Sequence, residues 1–353
     1  MTRDAHPGSA GSASGSVMDV WTTRGDGIEN LRLERVPIPD PQHGQLLVKT
    51  AALSLNYRDL LVIGGVEGWQ PQSDVVPVSD AVGVVVAVGP EVTRFAVGDR
   101  VSAIFLPKWH TGPLTRQAYV SPVGGPVNRG MLADYVVIDE QEVARPPRSL
   151  DDAQAATLPI AAVTAWHAMA RRSQVRQGDT VLIHGTGGVA LFALQFAVAL
   201  GARAAITSSS DDKLTKARAL GAQRMINYRN GADIAADVRE WTGGVGVDHV
   251  IETIGGDNLN QSLRAVAIGG SISFIGLIEG RSAHINTYEF VSKNVNIFGI
   301  ETGSREMFED MARFVDEHDI RPVIDSTFPV TGVQAALERL AAGGHFGKIV
   351  ITK

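Results

Sequence analysis

Residues 180–207 read TVLIHGTGGVALFALQFAVALGARAAIT, and the fold follows from this stretch. Thr180 to His184 is a short apolar run, the pattern of a strand buried on both faces. Gly185-Thr186-Gly187-Gly188-Val189-Ala190 follows as a tight turn. Leu191 to Leu200 is apolar and helix-compatible, and Gly201 stands where a helix-ending glycine belongs. Ala204 to Thr207 reads as the next strand. Strand, glycine turn, helix, strand is the dinucleotide-binding fingerprint, with Ala190 in its third small-residue slot. Gly185 permits the turn, Gly187 lets the backbone approach a pyrophosphate, and Ala190 lets helix and strand pack closely. Backbone N–H groups at the helix start then attract the anion.

Composition bounds the rest. A chain of 353 residues favours two domains, and 44% hydrophobic with 20% charged residues provides ample core. A net charge of −6 without a long Lys/Arg run gives no field for nucleic acid. There is no cysteine, which excludes disulfides, thiolate nucleophiles and zinc sites that need sulfur. It leaves the compartment open although it suits a reducing cytosol, and a cytoplasmic location is the expectation. Residues 1–16 are rich in Gly, Ser and Ala, lack a signal-peptide core, and read as a disordered tail. The longest apolar stretch, Val189 to Leu200, is too short to span a bilayer.

Residues 17 to 155 look β-rich, with short strands broken by Gly and Pro, the pattern of a small barrel-like domain. Leu46 to Leu55 and Ala81 to Val88 read as strands, and Asn56 to Ile63 as a short helix closed by Gly64-Gly65. Residues 106–130 have no period and are expected to form a substrate-side lid. From Asp151 an alanine-rich helical stretch begins, interrupted by Pro159. Beyond the fingerprint, helices and strands alternate: helix 213–220, strand 225–227, helix 234–241, strand 247–252, helix 259–266, strands 271–276 and 295–300. That alternation means a doubly wound parallel sheet. A helix at 306–318 and segments 322–330 and 348–352 then return to the first domain.

The chain resembles the medium-chain dehydrogenase/reductase superfamily. Besides the fingerprint, the resemblance rests on Val88-Gly89, Val92, Phe95 and Gly98-Asp99-Arg100-Val101. It rests also on Leu158-Pro159, Thr164-Ala165-Trp166, Gly246-Val247-Asp248 and Gly347-Lys348-Ile349-Val350. Asn56-Tyr57-Arg58-Asp59-Leu60 is similar to the zinc-free quinone oxidoreductase branch. The resemblance implies a GroES-like catalytic domain (17–162 and 304–353) clasping a Rossmann domain (163–303), the coenzyme between them, and a homodimer joined near 295–300. It further implies that Thr164, Gly276, Leu277, Ile278, Phe298, Gly299, Ile300 and Phe346 line the coenzyme, with Thr186, Gly187, Gly188 and Val189 at its pyrophosphate.

Zinc-dependent members carry a Cys where this chain has Asn56, and a Gly-His-Glu step where it has Val78-Ser79-Asp80. No histidine pair has ligand spacing, so neither a catalytic nor a structural zinc is expected. By spacing, Ser209 takes the place of the acidic residue that binds an NAD ribose. Lys213 and Tyr228 match the positions that contact the 2′-phosphate in the quinone oxidoreductase branch. Hydroxyls and a cation favour NADPH over NADH. Asp211 and Asp212 oppose this unless they serve the helix start.

Without a Lewis acid, hydride addition to an enone or quinone is easier than to a plain ketone, because an enolate spreads its charge. Asn56 is the candidate for orienting substrate or nicotinamide ribose. Tyr57 is the candidate proton or hydrogen-bond donor, since a phenol keeps its proton at neutral pH. Many quinone oxidoreductases place a tyrosine where this chain has Leu61, so solvent competes for that role. Arg58 and Asp59 read as a structural ion pair; Trp69, Trp109 and His110 are open between pocket wall and packing. The expected function is NADPH-dependent reduction of quinones or α,β-unsaturated carbonyls. The alternatives are a metal-free alcohol dehydrogenase or carbonyl reductase, and a nucleotide-binding interaction protein with little turnover.

Overall fold

The computed structural model describes residues 16–353, so the tail expected at 1–16 lies, except for Ser16, outside the described residues. Six strands form one parallel sheet. Their spatial order is Arg224–Asn227, Arg203–Ser208, Thr180–Ile183, Val247–Glu252, Val266–Phe274 and Asn296–Gly299. In chain order this is third, second, first, fourth, fifth, sixth, the Rossmann order, and the chain reverses direction across the sheet between first and fourth. Both faces are buried, as the apolar runs require. Val181, Ile183, Ala204 and Ile206 pack on one side, and Leu182, Ala205, Val250 and Ile272 on the other.

The glycine turn lies at the switch point and leads into the helix Gly188–Ala199. Gly201 follows with φ +76°, the left-handed geometry that ends a helix. Helix Ile234–Trp241 and strand Val247–Glu252 fall on the expected residues.

A seven-stranded, largely antiparallel sheet forms the second layer. Its path runs Ile324–Pro329, Lys348–Thr352, Gln45–Ser54, Asp80–Val88, Arg100–Ala103 and Val143–Ala144, with Tyr135–Asp139 beside Gln45–Ser54. Two strands from the end of the chain therefore complete a sheet begun near its start. The helix Arg305–Glu317 buries Phe308, Met311 and Val315 in a core cluster that takes residues from both sheets, Ala52 and Val82 as well as Val181 and Ile183.

One expectation holds and one needs correction. The helical stretch is interrupted at Pro159: the helix Asp152–Ala155 ends in a turn at 156–157, and Pro159 sits in the first turn of a new, wide π segment, Leu158–Ala162, followed by an α turn, Val163–Trp166. The fifth strand begins at Val266, not Ser271. Gly269-Gly270 forms an irregularity within the strand, where the register shifts between Val247↔Val266 and His249↔Ser271.

Candidate active site

The site lies where the two sheets meet. Gly187 and Gly347 form a backbone bridge, and Gly347 N–H donates to Thr186 O at 3.1 Å. Gly347 has φ +94°, and a Cβ there would stand 2.2 Å from Val323 O. Gly185 has φ +80°, and its N–H donates to Thr207 Oγ1 at 3.1 Å. A Cβ on Gly187 would meet nothing within 4 Å, so the space before this backbone is open to a ligand. Gly188 faces Lys348, whose Cδ would lie 2.6 Å from an added Cβ. The turn and the first N–H groups of the helix fit a pyrophosphate.

Ser209 and Tyr228 follow paired strand ends, since Ser208 and Asn227 are register partners. Ser210 caps the helix Asp211–Ala219 by accepting from Lys213 N–H at 3.4 Å. Lys213 Nζ donates to His345 O at 3.0 Å, and burial lowers its pKa. Asp211 is exposed and accepts from Asn227 Nδ2 at 2.8 Å, and Asp212 is exposed in the first helical turn. Tyr228 is also exposed. Thus Ser209, Lys213 and Tyr228 come to one end of the sheet.

Across the switch point, at the same carboxyl end of the parallel strands, Gly276, Leu277 and Ile278 follow the fifth strand, and Phe298, Gly299 and Ile300 belong to or follow the sixth. Ile300 N–H donates to Phe274 O at 2.9 Å and keeps the two segments together. Leu277 and Gly299 line an apolar cavity of about 300 Å³ with Phe274 and Ile297. Thr164 is buried, and its hydroxyl donates to Ile160 O at 2.6 Å. Phe346 is buried beneath the ammonium of Lys216, 5.7 Å from the ring centroid. Val189 is half-buried in the first turn of the fingerprint helix.

The catalytic-side residues carry more structure than their spacing revealed. Asn56 precedes the helix Tyr57–Ile63, and its N–H donates to Asp59 Oδ2 at 2.8 Å. Its amide Oδ1 accepts from Lys348 Nζ at 2.6 Å, and its Nδ2 donates to Asp80 Oδ2 at 2.8 Å. One Nδ2 hydrogen is left for another acceptor. Lys348 Nζ also donates to Leu55 O at 2.7 Å and lies 3.6 Å from Asp80 Oδ2. Lys348 and Asp80 are almost fully removed from solvent. Burial pushes the Asp80 carboxyl up to about 6 against the pull of Lys348, and pushes the Lys348 ammonium down against that of Asp80. Among the described residues, Asp80 Oδ1 has no hydrogen-bond partner.

Arg58 forms the second buried cation. Its guanidinium donates to Ser79 Oγ, to Val123 O at 3.2 Å and to Gly125 O at 2.9 Å. It lies 3.5 Å from Asp59, and 4.9 Å and 5.3 Å from the ring centroids of Phe105 and Trp69. Burial lowers the Arg58 pKa and raises that of Asp59. Arg58 thereby ties the helix to the irregular 106–130 segment. Trp109 of that segment is a core residue: it is 1% exposed and meets His167 edge-on at 5.6 Å. Tyr57, by contrast, is 47% exposed and is not a core tyrosine.

Sequence reasoning took Lys348 only as part of a terminal signature. The signal available was a lysine inside the apolar run of a final strand, Lys348–Thr352. Among the described residues, no group of three or more His, Cys, Asp and Glu side chains is placed to hold a metal.

A dinucleotide turn set against a polar catalytic cleft defines a nicotinamide-dependent oxidoreductase. Comparison with known proteins gives the family. Residues 188–317 match the zinc-binding dehydrogenase family model, and residues 42–148 match the alcohol dehydrogenase GroES-like domain. A zinc-type alcohol dehydrogenase-like protein of Schizosaccharomyces pombe is 40% identical over 332 residues, covering 92% of this chain and 96% of its own. The quinone oxidoreductase of Pongo abelii is 28% identical, covering 92% and 94%. A crystal structure of a Sinorhizobium meliloti 1021 protein, provisionally described as an alcohol dehydrogenase, is 43% identical. It superposes with a TM-score of 0.90 over 96% of this chain and 99% of its own. The chain belongs to the medium-chain dehydrogenase/reductase superfamily and is an oxidoreductase with a Rossmann sheet and a GroES-like domain.

Proposed function

We propose that this enzyme is an NADPH-dependent reductase that delivers hydride to quinones or α,β-unsaturated carbonyl compounds without a metal. The carrying observation is that Asn56 and Ser79, at the places of a Cys and a His in zinc-dependent members, are each bound to a cation of the chain. An amide and a hydroxyl are poor zinc ligands, and neighbouring ammonium and guanidinium charges repel a dication. These residues do not fit zinc. A substrate whose product charge is delocalised suits such a cleft, because hydrogen bonds alone stabilise an enolate or hydroquinone anion.

The bound coenzyme supplies the hydride. Tyr57, exposed at the start of its helix, donates a hydrogen bond or proton to the substrate oxygen. The spare Nδ2 hydrogen of Asn56 orients substrate or ribose. Ser209, Lys213 and Tyr228 favour the 2′-phosphate. Lys213 is held at a backbone carbonyl that a phosphate oxygen would replace at little cost, and Asp211 is turned to Asn227. We assign 17–162 and 304–353 to the catalytic domain and 163–303 to the coenzyme domain, in a cytoplasmic homodimer.

Product analysis tests the reading. Incubation with NADPH and a cyclic enone is expected to yield the saturated ketone at a rate insensitive to chelators. An allylic alcohol would instead favour the carbonyl reductase that the alcohol dehydrogenase-like relative brings to mind. Coenzyme binding without turnover of enones, quinones, aldehydes or alcohols would favour a binding protein.

A further inference from the structure

The last strand does more than complete a sheet. Gly347 bridges to Gly187 of the dinucleotide turn, and the next residue, Lys348, runs from that turn to the start of the helix Tyr57–Ile63. The Lys348 stem passes the start of the fingerprint helix, in contact range of Gly188. Its ammonium ends between Leu55 O, Asn56 Oδ1 and Asp80 Oδ2. Lysine is among the residues least often buried, and here it is 4% exposed. Burial of this kind requires a full set of acceptors, and the site provides two oxygens and a carboxylate.

We propose that Lys348 is a positioning residue for hydride transfer, locking the Asn56 amide in the one orientation that offers an N–H to the cleft. This inference rests on the reading of the site as a coenzyme-dependent reductase centre. Lys348 has only donors, so it fixes which end of the Asn56 amide is oxygen. Asp80 has the complementary preference and fixes the nitrogen end. Two charged groups of opposite sign thus hold the amide against a flip. The same lysine lies against the turn that receives the coenzyme, so pyrophosphate site and amide are set in one frame.

The test uses the full chain, NADPH and 2-cyclohexen-1-one. Lys348→Met keeps the stem beside Gly188 and removes the ammonium. It is expected to lower kcat at least tenfold while the NADPH Kd, read by fluorescence, stays within threefold. Asn56→Ala is expected to lose a similar factor, and the double variant no more than Asn56→Ala alone, because the lysine acts through the amide. Lys348→Arg, with charge and donors kept, is expected to recover part of the loss. A Lys348→Met kcat within twofold of the parent overturns the inference, as do single losses that multiply in the double variant. A parent protein that binds no pyridine coenzyme overturns both this inference and the reading beneath it. Should Lys348→Met not fold, Lys348→Gln is judged by the same criteria.

Discussion

Lys213 is a half-buried cation whose ammonium, among the described residues, hydrogen-bonds to a backbone carbonyl, so its charge is available to a ligand. A charge-assisted hydrogen bond to phosphate contributes about 1.5–3 kcal/mol. Lys213→Ala is therefore expected to raise the KM for NADPH by roughly ten- to a hundredfold and to leave that for NADH nearly unchanged. Equal effects on both coenzymes would remove Lys213 from the 2′-phosphate site. Asp80 makes a second residue-level prediction. Its folded-state pKa of about 6 stands above the ordinary 3.8. Between those values the folded chain holds more proton than the unfolded chain, so the Asp80 contribution to stability falls as pH rises from about 4 to 6. Asp80→Asn lacks this term. The difference in melting temperature between parent and Asp80→Asn is expected to change across that window and to flatten above it. A constant difference from pH 4 to 7 would contradict the assignment.

At the scale of elements, two glycine turns behave differently for reasons visible in their surroundings. Gly185 has φ +80°, but an added Cβ would have its nearest neighbour at 3.5 Å. Gly185→Ala then costs roughly 1–2 kcal/mol of left-handed strain. Gly276 follows the fifth strand, and a Cβ there would fall 2.1 Å from Thr253 C. Thermal melts are expected to show a folded Gly185→Ala, a few degrees less stable, and a Gly276→Ala that loses far more or does not fold. Similar melting points would refute the contrast. The first of these turns was legible in sequence, because G-x-G-x-x-A between two apolar runs is a local pattern. The helices at 234–241 and 259–265 were legible through their period and spacing. The Leu158–Ala162 π segment was not, since a proline marks the interruption but not the width of the turn it opens. Nor was the Lys348 site. Asn56 and Lys348 are 292 residues apart, and no periodicity records a contact made where the last strand pairs with the strand Gln45–Ser54.

At the scale of the whole molecule, the sixth strand leaves one edge of the parallel sheet open within the chain. Ile300 N–H bonds inward to Phe274, and successive residues of a strand turn their backbone groups to opposite sides. Ile297 and Gly299 therefore present their backbone groups outward. An edge strand with free donors and acceptors needs cover. Large apolar side chains stand exposed in the same part of the chain, with Tyr288 77% and Val291 73% exposed on the helix Thr287–Ser292 just before the strand. Pairing this edge with its twin would satisfy the backbone groups and extend the sheet through a twofold axis. Light scattering is expected to give twice the 37.5 kDa mass of one chain. Ile297→Pro removes one outward N–H and leaves the inward ladder bonds of its neighbours, so it should shift the mass to that of one chain while the far-ultraviolet spectrum keeps its α/β form. A parent protein of single-chain mass, or an Ile297→Pro variant that stays at double mass, would place the association surface elsewhere. Both Asn56 and Lys348 lie within one chain, so the monomeric variant should also retain hydride transfer, and loss of activity with loss of pairing would show that the partner contributes to the cleft.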